Sequence, residues 1–110
     1  MSEEKRIVKS YEEEMQSLND DLVKMGSLTE SQLSDTIQAI VKIDKEAAEN
    51  IVKNDAQINE LRAKIDDQIS TVLVKRAPMA IDLRTTISSL KISHDLERIG
   101  DLAKSVAKKI

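Results

Sequence analysis

Apolar residues recur along the first part of the chain at Ile7, Tyr11, Met15, Leu18, Leu22 and Met25, and then at Leu33, Ile40 and Ile43. Steps of three and four alternate, which marks one buried stripe on a helix. The stripe keeps its phase through Gly26, with Thr29 filling the slot where an apolar residue would fall. Ser27-Leu28-Thr29-Glu30 has the form of a capping box. The unbroken phase nevertheless predicts a single helix over 6–43, with Gly26 as a weak point costing about 1 kcal/mol relative to Ala.

After this helix Asp44 is placed to cap a short one over 45–53, carrying Ala47, Ala48, Ile51 and Val52. Asn54 offers another N-cap, with Gln57 three residues on, and a new stripe runs through Ile58, Leu61, Ile65, Ile69 and Val72. That stripe, predicted over 55–76, ends before Pro78, because the residue preceding a proline disfavours helical backbone. Pro78 suits the first position of a last helix over 78–109. The expected fold is therefore all-α: a three-helix bundle with a short additional helix after the first, in one domain over 1–110.

The last helix carries two apolar arcs. Ala80, Leu83, Ile87 and Leu90 form one, which continues by the same steps into His94, Glu97 and Asp101. Ile81, Ile92, Leu96, Ile99, Ala103, Val106 and Ile110 form the other. A helix at the rim of a small bundle needs one arc. The second predicts a further neighbour, and the expectation is that the chain associates with itself.

Composition narrows the chemistry. Aromatic residues are 1% of the 110, and there is no Cys and one His. No thiolate metal site, cysteine nucleophile, disulfide framework or base-stacking platform can be built from such a set. The net charge of −3 weighs against nucleic acid as a partner. No run approaches the roughly 18 apolar residues of a membrane span, and the charged N-terminus has no apolar segment behind it. The expected location is cytoplasmic.

Glu97 and Asp101 are the first candidates for a site. Four residues apart on a helix, they point the same way, with Cβ atoms about 5–6 Å apart. If the chain reverses near 77–78, facing positions on the last two helices sum to roughly 155. Asp101 then faces Asn54 and Asp55, so Asp55, Glu97 and Asp101 converge at one end of the bundle. Asp82, about 22 Å from Glu97 along its helix, cannot join them. Carboxylates without Cys form a hard-ligand set suited to magnesium, calcium, manganese or iron. The bland alternative is a solvated face neutralised by Arg98 or Lys104. His94 stands in an order, His-x-x-Glu, opposite to that of di-iron bundles. At the corner between the last two helices, Arg76 and Arg84 flank the turn with Asp82 between them, as a salt-bridged corner or an anion or partner site. There is no catalytic triad spacing and no Gly-rich phosphate loop, so no enzyme activity is expected.

The run Arg76-x-Pro78-x-Ala80-x-Asp82-Leu83-Arg84, followed by Leu96-Glu97-Arg98-Ile99-Gly100-Asp101, resembles the PhoU family. Met25-Gly26, Gln32-Leu33, Asp55-x-x-Ile58-Asn59 and Ile65-Asp66 fit the same pattern, so the resemblance runs from about Tyr11 to Ile110. It implies a non-enzymatic adaptor linking the ATPase of a phosphate ABC transporter to a sensor histidine kinase, peripheral to the inner membrane through these partners. It implies negative regulation of the phosphate-starvation response when phosphate is plentiful. It also implies multinuclear iron or zinc on the ExxxD motif, here Glu97 and Asp101. Typical members carry two such repeats and this chain one. The competing expectation is a structural oligomerisation bundle without a ligand.

Overall fold

The computed structural model describes residues 2–76 and 80–110, with the side chains of 76 and 80–82 outside that description. Three helices occur in it: α1 over Glu3–Lys42, α2 over Lys45–Arg76 and α3 over Ala80–Lys108. Each packs on both others in an elongated bundle of 60 × 24 × 16 Å. The all-α reading holds, and there is no strand among the described residues.

The start of α1 is capped by Ser2, whose hydroxyl accepts from the Lys5 amide at 3.3 Å. Gly26 leaves α1 continuous, as the phase predicted. The helix ends at Ile43, a left-handed residue with φ 50° and ψ 48°. Ile43 and Asp44 donate their amides to the last α1 carbonyls at 3.2 and 3.0 Å. Asp44 then caps α2, its carboxylate accepting from the Ala47 amide at 3.0 Å. The expected short helix over 45–53 is not separate: α2 runs through Asn54 without a break. A helix with Ala48 and Ile51 already buried gains more by carrying its backbone bonds onward than by restarting at a cap.

The core falls into two apolar clusters. Leu18 and Met25 of α1 meet Ile58, Leu61, Ile65 and Ile69 of α2 in the larger. Ala39, Ala48, Ile51 and Ala107 close the bundle near the Ile43–Asp44 turn. Between them α1 turns polar residues inward: Thr29, Gln32 and Thr36 are buried, while Leu33, Ile40 and Ile43 are exposed. The expected apolar stripe is thus displaced to one side in the second half of α1. It is α3 that departs most from its expected packing. Its buried positions are Thr86, Ser89, Ser93, Gly100, Ala103 and Ala107, while Leu83, Ile87, Ile92, Ile99 and Val106 are exposed. Small side chains let the α3 backbone approach the other two helices closely. The Ser89 and Ser93 hydroxyls are satisfied within the helix, donating to the carbonyls of Thr85 and Leu90 at 3.0 and 2.9 Å.

The exposed apolar residues are unevenly shared. Among the described residues α2 exposes one large apolar side chain, Val74. Leu33, Ile37 and Ile40 of α1 and Ile92, Ile99 and Val106 of α3 are all exposed. On the helical wheel they flank the seam between α1 and α3 on its outer side.

The two glycines stand in opposite surroundings. A Cβ on Gly26 would meet nothing within 4 Å, whereas one on Gly100 would lie 3.2 Å from Ile58 Cδ1 and 3.5 Å from Asp55 Oδ1. Neither has positive φ. Gly26→Ala should therefore raise stability by up to about 1 kcal/mol, the difference in helix propensity. Gly100→Ala should lose that gain, and more, to the push against Ile58. Urea unfolding of the two variants checks this. Equal stabilisation by both would mean that α3 is not pressed against α2 at Gly100.

Candidate functional site

The turn at Ile43–Asp44 sets which residues of α1 and α2 meet. Gln32 lies eleven residues before Ile43 and Asp55 eleven after Asp44, so the two face each other across the bundle. The Gln32 carboxamide donates to Asp55 Oδ1 at 2.9 Å and to the Gly100 carbonyl at 2.9 Å. One side chain of α1 thus holds α2 and α3 together. Asp55 is 1% exposed. Its other oxygen accepts from Asn59 Nδ2 at 3.3 Å and lies 3.6 Å from Lys104 Nζ. A buried carboxylate persists only with such donors around it.

Two turns further along α2, Arg62 reaches α3. Its guanidinium donates to Glu97 Oε1 and to His94 Nε2, and its Nε lies 3.4 Å from Asp66 Oδ2. A guanidinium has no acceptor, so His94 accepts at Nε2 and carries its proton on Nδ1. Asp101 follows Glu97 by one turn. It is an exposed residue, yet its carboxyl is held above the usual carboxylate range. Loss of water on its bundle side is the first cause; the charges of Asp55 and Glu97 come next, against the partial relief of Lys104 and Arg62.

The structure therefore brings Asp55, Glu97 and Asp101 into one electrostatic neighbourhood, as the hairpin register predicted. Their roles differ. Asp55 is engaged by Gln32, Asn59 and Lys104, and Glu97 by Arg62. Among the described residues no three of His, Asp and Glu are disposed to hold a metal ion as they stand. The oxygen chemistry of Glu97 and Asp101 fits a hard cation, but this arrangement does not supply a third open ligand. Of the residues at the corner, Arg84 is exposed, and the side chains of Arg76 and Asp82 lie outside the described residues. Arg98, expected to neutralise the carboxylates, is exposed, and Arg62 and Lys104 are the cations that approach them. The sequence reading names Gln32 only within the family pattern, without a role, and does not name Arg62. Gln32 sits in phase with the buried Met25 and Ala39, and Arg62 pairs with Glu97 at a sum close to the hairpin register.

Comparison with known proteins decides the family. The model described as PhoU domain matches residues 22–110. The chain belongs to the PhoU family. Over 102 residues it is 40% identical to a protein of Caulobacter vibrioides (strain NA1000 / CB15N) named phosphate-specific transport system accessory protein PhoU homolog, covering 93% of this chain and 44% of that one. A protein of the same name in Rhizobium meliloti (strain 1021) is 34% identical over 104 residues, covering 94% and 44%. The crystal structure of PhoU from Pseudomonas aeruginosa superposes with a TM-score of 0.87 at 37% identity, covering 90% of this chain and 47% of that one. This PhoU chain thus spans less than half the length of the relatives it matches. Among the described residues no helix is long and apolar enough to cross a membrane.

The raised Asp101 carboxyl has a consequence for stability. A carboxyl whose folded pKa lies above its unfolded one binds its proton more readily in the folded protein. Stability then falls as pH rises through that window, and the cost persists at neutral pH. Asp101→Asn should raise the melting temperature in chelator at pH 7 by roughly 1–3 °C. The gain should vanish as pH falls below the ordinary carboxylate range. A pH-independent gain would assign the effect to helix propensity rather than to charge.

Proposed function

We propose that this chain is a non-enzymatic adaptor in the control of phosphate uptake. It bridges the ATPase subunit of a phosphate ABC transporter and a sensor histidine kinase, holding the starvation response off when phosphate is plentiful. The reading is supported by 40% identity across almost the whole chain to relatives named as accessory proteins of phosphate-specific transport. An adaptor needs a docking face, and the exposed apolar flank along the α1–α3 seam supplies one. Its place is cytoplasmic, peripheral to the inner membrane through its partners. The same flank favours a second reading, an oligomerisation bundle without a ligand. Both are tested with Ile99→Glu, which sits on the outer edge of the seam and should leave the helices formed. The wild type should capture the transporter ATPase or the kinase from purified mixtures, and the variant should lose that capture. Capture of neither partner, together with a stable dimer in sedimentation that Ile99→Glu dissociates, would replace the adaptor by the oligomerisation reading.

We further propose that Glu97 and Asp101 face a bound cation, with Asp55 behind them: iron, zinc, manganese or magnesium. Two observations favour it: Glu97 and Asp101 lie one turn apart on the same helix, and the Asp101 carboxyl is raised, by loss of water first and then by the charges of Asp55 and Glu97, which Arg62 and Lys104 only partly relieve. A bound metal would supply that missing positive charge, and Asp55 would contribute its field from the buried layer. Binding to the folded state must raise the melting temperature in proportion to ion concentration over affinity. At an ion concentration 100-fold above Kd this is about 2.7 kcal/mol. The wild type should melt higher with one of these ions than in chelator, and Glu97→Gln/Asp101→Asn should not respond. An equal response of both proteins would leave the two carboxylates as a solvated helix face.

A further inference from the structure

We propose that the apolar flank along the α1–α3 seam pairs with itself: a second copy of this chain lies antiparallel across it, and Ile40 of each copy seats over Gly26 of the other. The proposal takes up the flank that the adaptor reading uses for docking and names what covers it when no other partner is bound. Ile37 of α1 and Ile92 of α3 are 55% and 50% exposed. Along the seam between them the facing arcs of the two helices carry no charged residue; Glu30 and Asp95 stand at the edges. A neutral strip laid on its own copy brings no like charges together, although the chain has a net charge of −3.

The Gln32 bond to the Gly100 carbonyl fixes the relative levels of α1 and α3. By that bond Leu33 stands level with Asp101, and the flank runs from the level of Ile92 to that of Ile40, with Leu33 close to its middle. At 1.5 Å per residue this is about 24 Å of length, and two helices side by side are about 20–24 Å wide. Two copies would therefore bury roughly 1,000 Å², which is the lower limit of a specific interface and suits a weak dimer.

Gly26 gives the register. Nothing in its own chain requires a glycine there: φ is not positive, and a Cβ would meet nothing within 4 Å. A glycine inside a helix nevertheless costs about 1 kcal/mol relative to Ala. On the wheel Gly26 shares the flank side of α1 with Leu33, Ile37 and Ile40, so its missing side chain leaves a slot that opens onto the flank. Gly26 and Ile40 lie seven residues to either side of Leu33. A two-fold axis crossing the rod at Leu33 thus puts the large side chain of each copy over the slot of the other. The same axis sets Leu96 against Val106 of the second copy and brings Asp95 near its Lys109, an opposite-charge pair at the outer edge. Each helix then runs antiparallel to its own copy, with their dipoles opposed. An axis along the rod would instead lay α1 beside the other copy's α3 in the same direction.

The test uses the purified chain alone. Sedimentation from about 1 to 200 μM should show monomer and dimer only, because an isologous pair closes on itself. The chain has no Cys, so single-cysteine variants report proximity. Under mild oxidation Leu33→Cys should form a disulfide-linked dimer, since the axis places residue 33 beside its own copy. Val74→Cys, on the exposed side of α2, should stay unlinked. Gly26→Leu should keep its helicity and weaken the dimer about tenfold or more, the effect of overfilling a fitted contact. Should Leu33→Cys lose helicity in circular dichroism, Ile99→Cys, near the same axis on α3, carries the test. A monomer throughout the range would overturn the proposal, as would oligomers that keep growing with concentration. So would a dimer in which Leu33→Cys links no better than Val74→Cys, or one that Gly26→Leu leaves unchanged. Each of these results leaves the adaptor reading to its own capture experiment, since the ATPase and the kinase are absent from the mixture.

Discussion

One carboxamide holds the middle of this bundle together. Gln32 donates to a buried carboxylate on α2 and to a backbone carbonyl on α3, so three helices meet at a single side chain. The rest follows from what that junction demands. Asp55 can be buried only because Gln32, Asn59 and Lys104 surround it. Gly100 suits its place because the backbone carrying the accepting carbonyl lies close against Ile58 and Asp55, where a Cβ would press on Ile58. The two apolar clusters on either side could each tolerate several packings of Leu and Ile. A hydrogen-bonded junction at one height tolerates far fewer, because a shifted register would strand Asp55 without donors.

Outward from this layer the charges are arranged in pairs that cross between helices. Lys104 of α3 approaches Asp55 of α2, Arg62 of α2 holds Glu97 of α3, and Lys64 of α2 meets Asp21 of α1 at 3.1 Å. Asp101 stands above the ordinary carboxylate range, first because its bundle side has lost water and then because of the charges of Asp55 and Glu97. The result is a bundle whose charge pairs run along the two seams of α2, while its uncovered apolar surface runs along the seam of α1 and α3. Paired charge and uncovered apolar surface are thereby kept on different sides of one 60 Å rod.

Much of this was legible in the residues. The continuous phase of Ile7 to Met25 through Thr29 foretold an unbroken α1, and Asp44 was correctly placed as a cap. The hairpin register put Asp101 against Asp55, and the motifs around Gly100 carried the family. What escaped was the polar half of the core. A stripe search follows large apolar residues, so beyond Thr29 it passed over Gln32 and Thr36 and tracked Leu33 and Ile40, which lie at the edge. In α3 it followed Leu83 and Ile87 for the same reason, although the buried face is Ser, Thr, Gly and Ala. Gly and Ala are often fully buried, and Ser joins them here with its hydroxyls bonded inside the helix, but periodicity of hydrophobicity gives such residues little weight. Asn54 misled differently: a good capping residue ends a helix only where burial does not carry it onward.

The smooth inner face of α3 has a mechanical consequence. Helices interlock through side chains that project into the partner's grooves, and it is this toothing that resists sliding. Thr86, Ser89, Ser93, Gly100, Ala103 and Ala107 project little. The axial setting of α3 therefore leans on a few contacts, Leu90 and Leu96 against the larger cluster, the Gln32 bond to the Gly100 carbonyl and the Arg62 bridge to Glu97, rather than on toothing along the whole length. Small translations between packed helices are a recognised way for one site to report to another. In this bundle α3 carries both the paired carboxylates and half of the apolar flank, so any translation of that helix would move the two together.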